Sequence, residues 1–140
     1  MIAIDSISIS KNHFKTIVDH AEKNAPYESV SILAGVVKDN KAVVKEVFTP
    51  ENVDRSTVTF TVDPLHLLDI YTDIDSKNLE VVGIFHTHPA PPYPSGTDKL
   101  YMEVNRCVWL ISTTSKPNEP KGYLFLENRK LKNIEIIFTD

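Results

Sequence analysis

His86-Thr87-His88 and Asp98 are the residues of this sequence whose types and spacing suit a metal-dependent reaction. In an extended segment successive side chains point to opposite faces, so His86 and His88 project the same way while Thr87 points elsewhere. Two imidazoles can then converge on one ion. Catalytic zinc usually takes three protein ligands and keeps its fourth tetrahedral position for water, so a third N or O donor is needed, and Asp98 is the candidate. It lies ten positions after His88, beyond Pro89-Ala90-Pro91-Pro92-Tyr93-Pro94, whose four prolines restrict the loop that must return it. Two neutral imidazoles and one carboxylate leave such a zinc site formally cationic, which brings the pKa of water there toward about 7.

Ser95-Gly96-Thr97-Asp98 also reads as a capping box, with Ser95 capping a helix and Asp98 reaching back to the Ser95 amide. The two roles are compatible, because one carboxylate oxygen can serve a metal while the other serves an amide, and a helix N-terminus favours the negative charge. His-x-His alone is as well explained by chance or by structure. The combination of a central strand, an exit loop and an Asp at a helix start changes that balance. A hydrolase also needs a base for the water proton and a donor for the developing oxyanion, and spacing identifies neither.

Other chemically competent residues lack partners in the sequence. His13 and His20 share a helical face but bring no third donor, so they read as surface histidines, and His66 as structural or exposed. The single cysteine, Cys107, cannot form an internal disulfide, and its apolar, strand-like setting suits a buried inert thiol.

The elements that would position these groups follow from periodicity. Ile2, Ile4, Ile7 and Ile9 suggest a first strand. Phe14, Ile17, Val18 and Ala21 lie at helical spacing within residues 11–24, after Ser10 as a cap and before Pro26 as a stop. Residues 30–37 and 42–48 flank Lys38-Asp39-Asn40-Lys41 as an antiparallel hairpin, and residues 57–62 suggest another strand. Asp63-Pro64 starts a helix through about Ser76. Val81-Val82-Gly83-Ile84-Phe85 is the nearly unbroken apolar run of a strand covered on both faces, and it leads directly into His86. A short helix from Ser95 and strands at 107–111, 123–126 and 134–138 complete an α/β or α+β domain spanning 1–140, with one mixed sheet and helices on its faces.

Bulk properties exclude several classes. A chain of 140 residues fits one core, and 41% hydrophobic with 24% charged residues is ordinary for a folded domain. A net charge of −4 argues against nucleic acid or anionic lipid as a partner. The N-terminus has no basic region and no long apolar stretch, so it resembles neither a signal peptide nor a membrane anchor, and we expect a cytoplasmic protein. A homo-oligomer is compatible with the chain.

Three blocks, residues Tyr27 to Gly35, Gly83 to Pro89 and Ser95 to Asp98, together resemble the JAMM/MPN+ zinc metalloprotease family in a minimal prokaryotic or archaeal form. The resemblance spans roughly residues 10–112. That family combines an upstream Glu with His-[Ser/Thr]-His-Pro and Ser-x-x-Asp on a fold similar to cytidine deaminases. Carried over residue by residue, the resemblance implies that His86, His88 and Asp98 bind Zn2+. It implies that Glu28 is the general acid/base and that Ser95 steadies the oxyanion, while Thr87 and Pro89 shape the loop. Without it, Glu28 would be an ordinary solvated Glu and Ser95 a plain N-cap.

Two departures stand out. Six residues separate His88 from Ser95 where the family usually has seven, and Ser31 stands where it usually has Gly. The resemblance implies a zinc-dependent isopeptidase acting after the C-terminal Gly-Gly of a ubiquitin-like modifier. The alternatives are a peptidase trimming a ubiquitin-like sulfur carrier and a non-catalytic scaffold module. The intact Glu28, His86, His88 and Asp98 argue against a scaffold, and the lack of paired cysteines excludes deaminase chemistry.

Overall fold

The computed structural model describes residues 3–57, 60–89 and 91–140. The strands are β1 (Ser6–Ser10), β2 (Val30–Lys38), β3 (Lys41–Phe48), β4 (Glu80–His88), β5 (Val108–Thr113), β6 (Lys116–Phe125) and β7 (Leu131–Thr139). The helices are α1 (Lys11–Asn24), α2 (Pro64–Ser76) and α3 (Gly96–Val104). The strands form one mixed sheet in the order β1-β3-β2-β4-β5-β6-β7, and parallel pairing of β1 with β7 closes it. Closure leaves the ordinary alternation of a two-faced sheet intact but joins its outer strands, a feature that alternation alone did not reveal.

Local chemistry explains the elements that frame the site. The β2–β3 hairpin turns on Asp39 and Asn40, both in the left-handed region at φ 53° and 62°, which Asn and Asp tolerate better than most residues. Asp63 caps α2 by accepting from the Leu65 amide, ahead of Pro64. In β2, a register shift at Gly35 brings Val43 so close that a Cβ would stand 1.8 Å from its carbonyl oxygen, so only glycine fits. The described residues of the strand expected over 57–62 do not form it. Val58 and Thr59 lie outside the described residues, and Thr57 and Phe60 to Val62 carry no strand pairing. β6 also begins earlier than its apolar pattern suggested, at Lys116, because Pro117 and Pro120 hide the strand period.

Three packed clusters hold the frame. Ile17 and Ala21 of α1 pack with Ile7, Leu33, Phe85, Val108 and Leu110. Met102 of α3 packs with Val30, Ile84, Trp109 and Ile111, and Ile70 and Ile74 of α2 pack with Ile32 and Ala34. The faces of β4 thus divide at its end. Ile84 points toward the α3 cluster and Phe85 toward α1, which sets His86 and His88 on the α3 side. Full burial of side chains such as Phe85 and Trp109 stabilises by roughly 1.5–3 kcal/mol each, so the strand that carries both histidines is firmly held.

Candidate active site

β4 and β5 are parallel neighbours joined through α3, and His86 and His88 stand at the C-terminal end of β4. In open α/β sheets, the carboxyl ends of parallel strands are where ligands meet the chain. β2 runs antiparallel on the other side, with Val30 opposite His86, and Glu28 just precedes it. Glu28, His86, His88 and Asp98 are all at most 4% exposed. Four buried ionisable side chains in one place need mutual compensation, because a lone buried charge is expensive.

Their geometry supplies it through Asp98. His86 Nε2 lies 3.1 Å from Asp98 Oδ1 and 3.4 Å from Glu28 Oε1, and His88 Nε2 lies 3.5 Å from Asp98 Oδ2. The capping box is present in full. The Asp98 amide donates to Ser95 Oγ at 3.0 Å, and the Ser95 amide donates to Asp98 Oδ2 at 3.0 Å. Asp98 is therefore fixed at the start of α3 by the cap while its carboxylate faces both imidazoles. Ser95 itself is exposed at the rim.

The strand pair is locked beside these residues. Thr87 Oγ1 accepts from the Ser29 amide at 2.9 Å, and the Thr87 amide donates to the Ser29 carbonyl at 3.1 Å. That carbonyl also lies 3.3 Å from His86 Nδ1. A carbonyl can only accept, so a hydrogen on Nδ1 would pair His86 with Ser29, the tautomer that would free Nε2 for a metal; Nε2 itself approaches the carboxylates at hydrogen-bond distance. His88 differs, because its Nε2 lies 3.1 Å from the Tyr93 carbonyl of the proline-rich loop. The ring of Phe60 packs on His86 with centroids 4.8 Å apart.

Burial pushes the Glu28 carboxyl up to about 7; the His86 charge opposes this and the Asp98 charge adds to it. A carboxyl in that range can both take and return a proton near neutral pH. For Asp98, burial is the largest influence and acts upward, but the His86 hydrogen bond and charge, the Ser95 amide and the His88 charge together hold it below its ordinary value. The two acids are thus driven apart, one toward proton exchange and one toward permanent charge.

Among the described residues no three donors form a ready-made cation cage as they stand. Donors on a tetrahedral zinc with bonds of about 2.0–2.1 Å are about 3.3–3.4 Å apart. The separations from Asp98 to the two Nε2 atoms, 3.1 and 3.5 Å, bracket that value. The two separations run to different oxygens of Asp98, and Oδ2 also accepts from the Ser95 amide; the chemistry of these donors suits zinc, while His88 Nε2 is turned to the Tyr93 carbonyl.

The family model for prokaryotic homologs of the JAB domain matches residues 10–126. This chain belongs to that family. As a JAB-domain protein it is 32% identical over 133 residues to a desampylase of Pyrococcus furiosus, covering 94% of this chain and 91% of the relative. It is 33% identical over 81 residues to a probable TtuB-protein conjugate cleaving protease of Thermus thermophilus, covering 56% and 51% of the two chains. The solution structure of a protein from Desulfitobacterium hafniense superposes with a TM-score of 0.81 at 28% identity, covering 96% of this chain and 93% of the other.

The five residues singled out from the sequence are brought together, Ser95 through its cap with Asp98. Ser29, Asn52 and Phe60, which hold them, were not singled out. Ser29 left a signal, a polar residue beside an otherwise apolar strand, whereas Asn52 looked like any turn residue after Pro50. His20 is more engaged than a surface histidine, with Nε2 3.1 Å from the Pro50 carbonyl. Cys107 is buried as expected, and burial pushes its thiol up to about 12. No described helix is long and apolar enough to cross a membrane.

Proposed function

We propose that this JAB-domain protein is a zinc-dependent hydrolase of conjugates of a ubiquitin-like modifier, cutting the bond after the modifier's C-terminal Gly-Gly. The observation that carries the proposal is the buried meeting of His86, His88 and Asp98 beside Glu28, whose proton affinity is tuned toward neutrality. The names of the relatives, a desampylase and a conjugate cleaving protease, support the substrate class.

In this account His86, His88 and Asp98 hold the ion. A bound zinc supplies Lewis-acid polarisation of the scissile carbonyl and brings water toward a pKa of about 7. Glu28 accepts the proton of the attacking water and returns it to the leaving amine, a two-way task that its raised affinity suits. Ser95, at the rim and at the N-terminus of α3, faces the developing oxyanion as a hydroxyl donor. Ser29 and Thr87 keep β2 and β4 in register so that Glu28 and His86 stay together. Glycines at the end of the modifier let its backbone approach the site closely.

A panel of ubiquitin-like modifiers joined through Gly-Gly to a reporter tests the proposal. The zinc-loaded protein should release the reporter from at least one of them, and Glu28→Gln should retain zinc and fold while losing release. A Glu28→Gln protein as active as the parent would overturn the assignment of the proton shuttle.

A further inference from the structure

We infer that Asn52 is a positioning residue whose carboxamide clamps the backbone of Glu28 to the loop that carries Phe60 against His86. The inference rests on the role of Glu28 proposed above. Asn52 is only 4% exposed, although its neighbours Glu51, Val53, Asp54 and Arg55 are exposed. A lone inward polar residue in a surface loop must be matched by hydrogen bonds. Its Nδ2 donates to the Glu28 carbonyl at 2.9 Å and to the Ser56 carbonyl at 3.5 Å. Its Oδ1 accepts from the Asp54 amide at 3.2 Å and the Thr61 amide at 3.1 Å. A carboxamide offers two donors and two acceptor positions, and these contacts among the described residues engage both its donor and its acceptor end.

The neighbouring backbone completes a closed circuit. The Glu28 amide donates to the Ser56 carbonyl at 2.7 Å, and the Val53 amide donates to the Thr61 carbonyl at 2.9 Å. Both backbone groups of Glu28, its N–H and its C=O, are thus held by the segment from Asn52 to Ser56. The far end of the same loop places Phe60 on the His86 ring. One side chain therefore ties the acid and one imidazole to a common support, although it touches neither reacting group. Aspartate has the same shape but offers no donor to the two carbonyls, and alanine takes the carboxamide away from the Glu28 carbonyl and from the Asp54 and Thr61 amides.

Misplacing a reacting group by about 1 Å can lower a rate about a hundred-fold. Asn52→Ala should keep zinc stoichiometry and KM near the parent values and lower kcat at least about ten-fold. Amide hydrogen exchange at Glu28, Asp54 and Thr61 should speed up about ten-fold or more, while exchange in α1 and β5 stays unchanged. If Asn52→Ala fails to fold, Asn52→Asp provides the same readouts. The parent's activity tests the proposed function separately, since the exchange measurement reads the clamp without any turnover. Unchanged exchange at Glu28, or an unchanged kcat in an active parent, would overturn the inference. A uniform rise in exchange across the whole chain would also overturn it, because it would mark a merely structural residue.

Discussion

Replacing Glu28 by Gln should stabilise the metal-free protein in mildly alkaline solution, although it removes the group proposed to move the proton. The Glu28 carboxyl ordinarily titrates at 4.5 and is pushed to about 7 in the fold, chiefly by burial. A folded pKa above the unfolded one means that the folded state holds the proton more tightly. Stability therefore falls as pH rises from 4.5 through about 7, and the full penalty is present above 7. At about 1.4 kcal/mol for each pH unit between the two values, the penalty is about 3 kcal/mol. Gln has nearly the same shape and no charge to bury, so it escapes this penalty. Urea unfolding of chelator-treated proteins should show Glu28→Gln more stable by about 3 kcal/mol at about pH 8.5 and by only about 1 kcal/mol at about pH 5.5. A Gln variant no more stable than the parent at the higher pH, or an advantage that does not change with pH, would refute the reasoning.

Three further substitutions separate the site from its supports. Ser95→Ala should destabilise by about 1 kcal/mol through loss of the N-cap of α3, measured by urea unfolding. Steady-state kinetics of the same variant should show kcat about a hundred-fold lower with KM little changed, as expected for a donor to the oxyanion. Ser31→Ala should raise stability by about 1 kcal/mol, because the fully buried Ser31 hydroxyl has no hydrogen-bond partner among the described residues. Gly35→Ala should destabilise by about 3 kcal/mol or more, since its Cβ would meet the Val43 carbonyl, and a thermal midpoint equal to the parent's would contradict the bulge geometry.

What could be seen in the sequence was whatever local chemistry decides. The hairpin turn at Asp39-Asn40, the Asp63-Pro64 start of α2 and the Ser95–Asp98 box each depend on residues within four positions, and each stands as expected. The sidedness of β4 was also legible, because a period of two is a property of the strand itself. Features decided by distant partners were hidden. Parallel pairing of β1 with β7 joins residues such as Ser6 and Glu135, and no local pattern announces it. Asn52 had the composition of an ordinary turn, and only the fold shows that its carboxamide meets Glu28, twenty-four positions earlier. Glu28 illustrates the same limit. Its role was implied by resemblance, while the burial that raises its proton affinity comes from strands and loops that close around it.

The proposed zinc site depends on His86 and His88 meeting at Asp98. Zinc titration of the chelator-treated protein followed by calorimetry should show about one tightly bound ion per chain, and Asp98→Asn should weaken that binding by about a hundred-fold or more. The same zinc affinity in the parent and in Asp98→Asn would contradict it, leaving Asp98 a helix cap and His86 and His88 without the carboxylate that makes them a metal site.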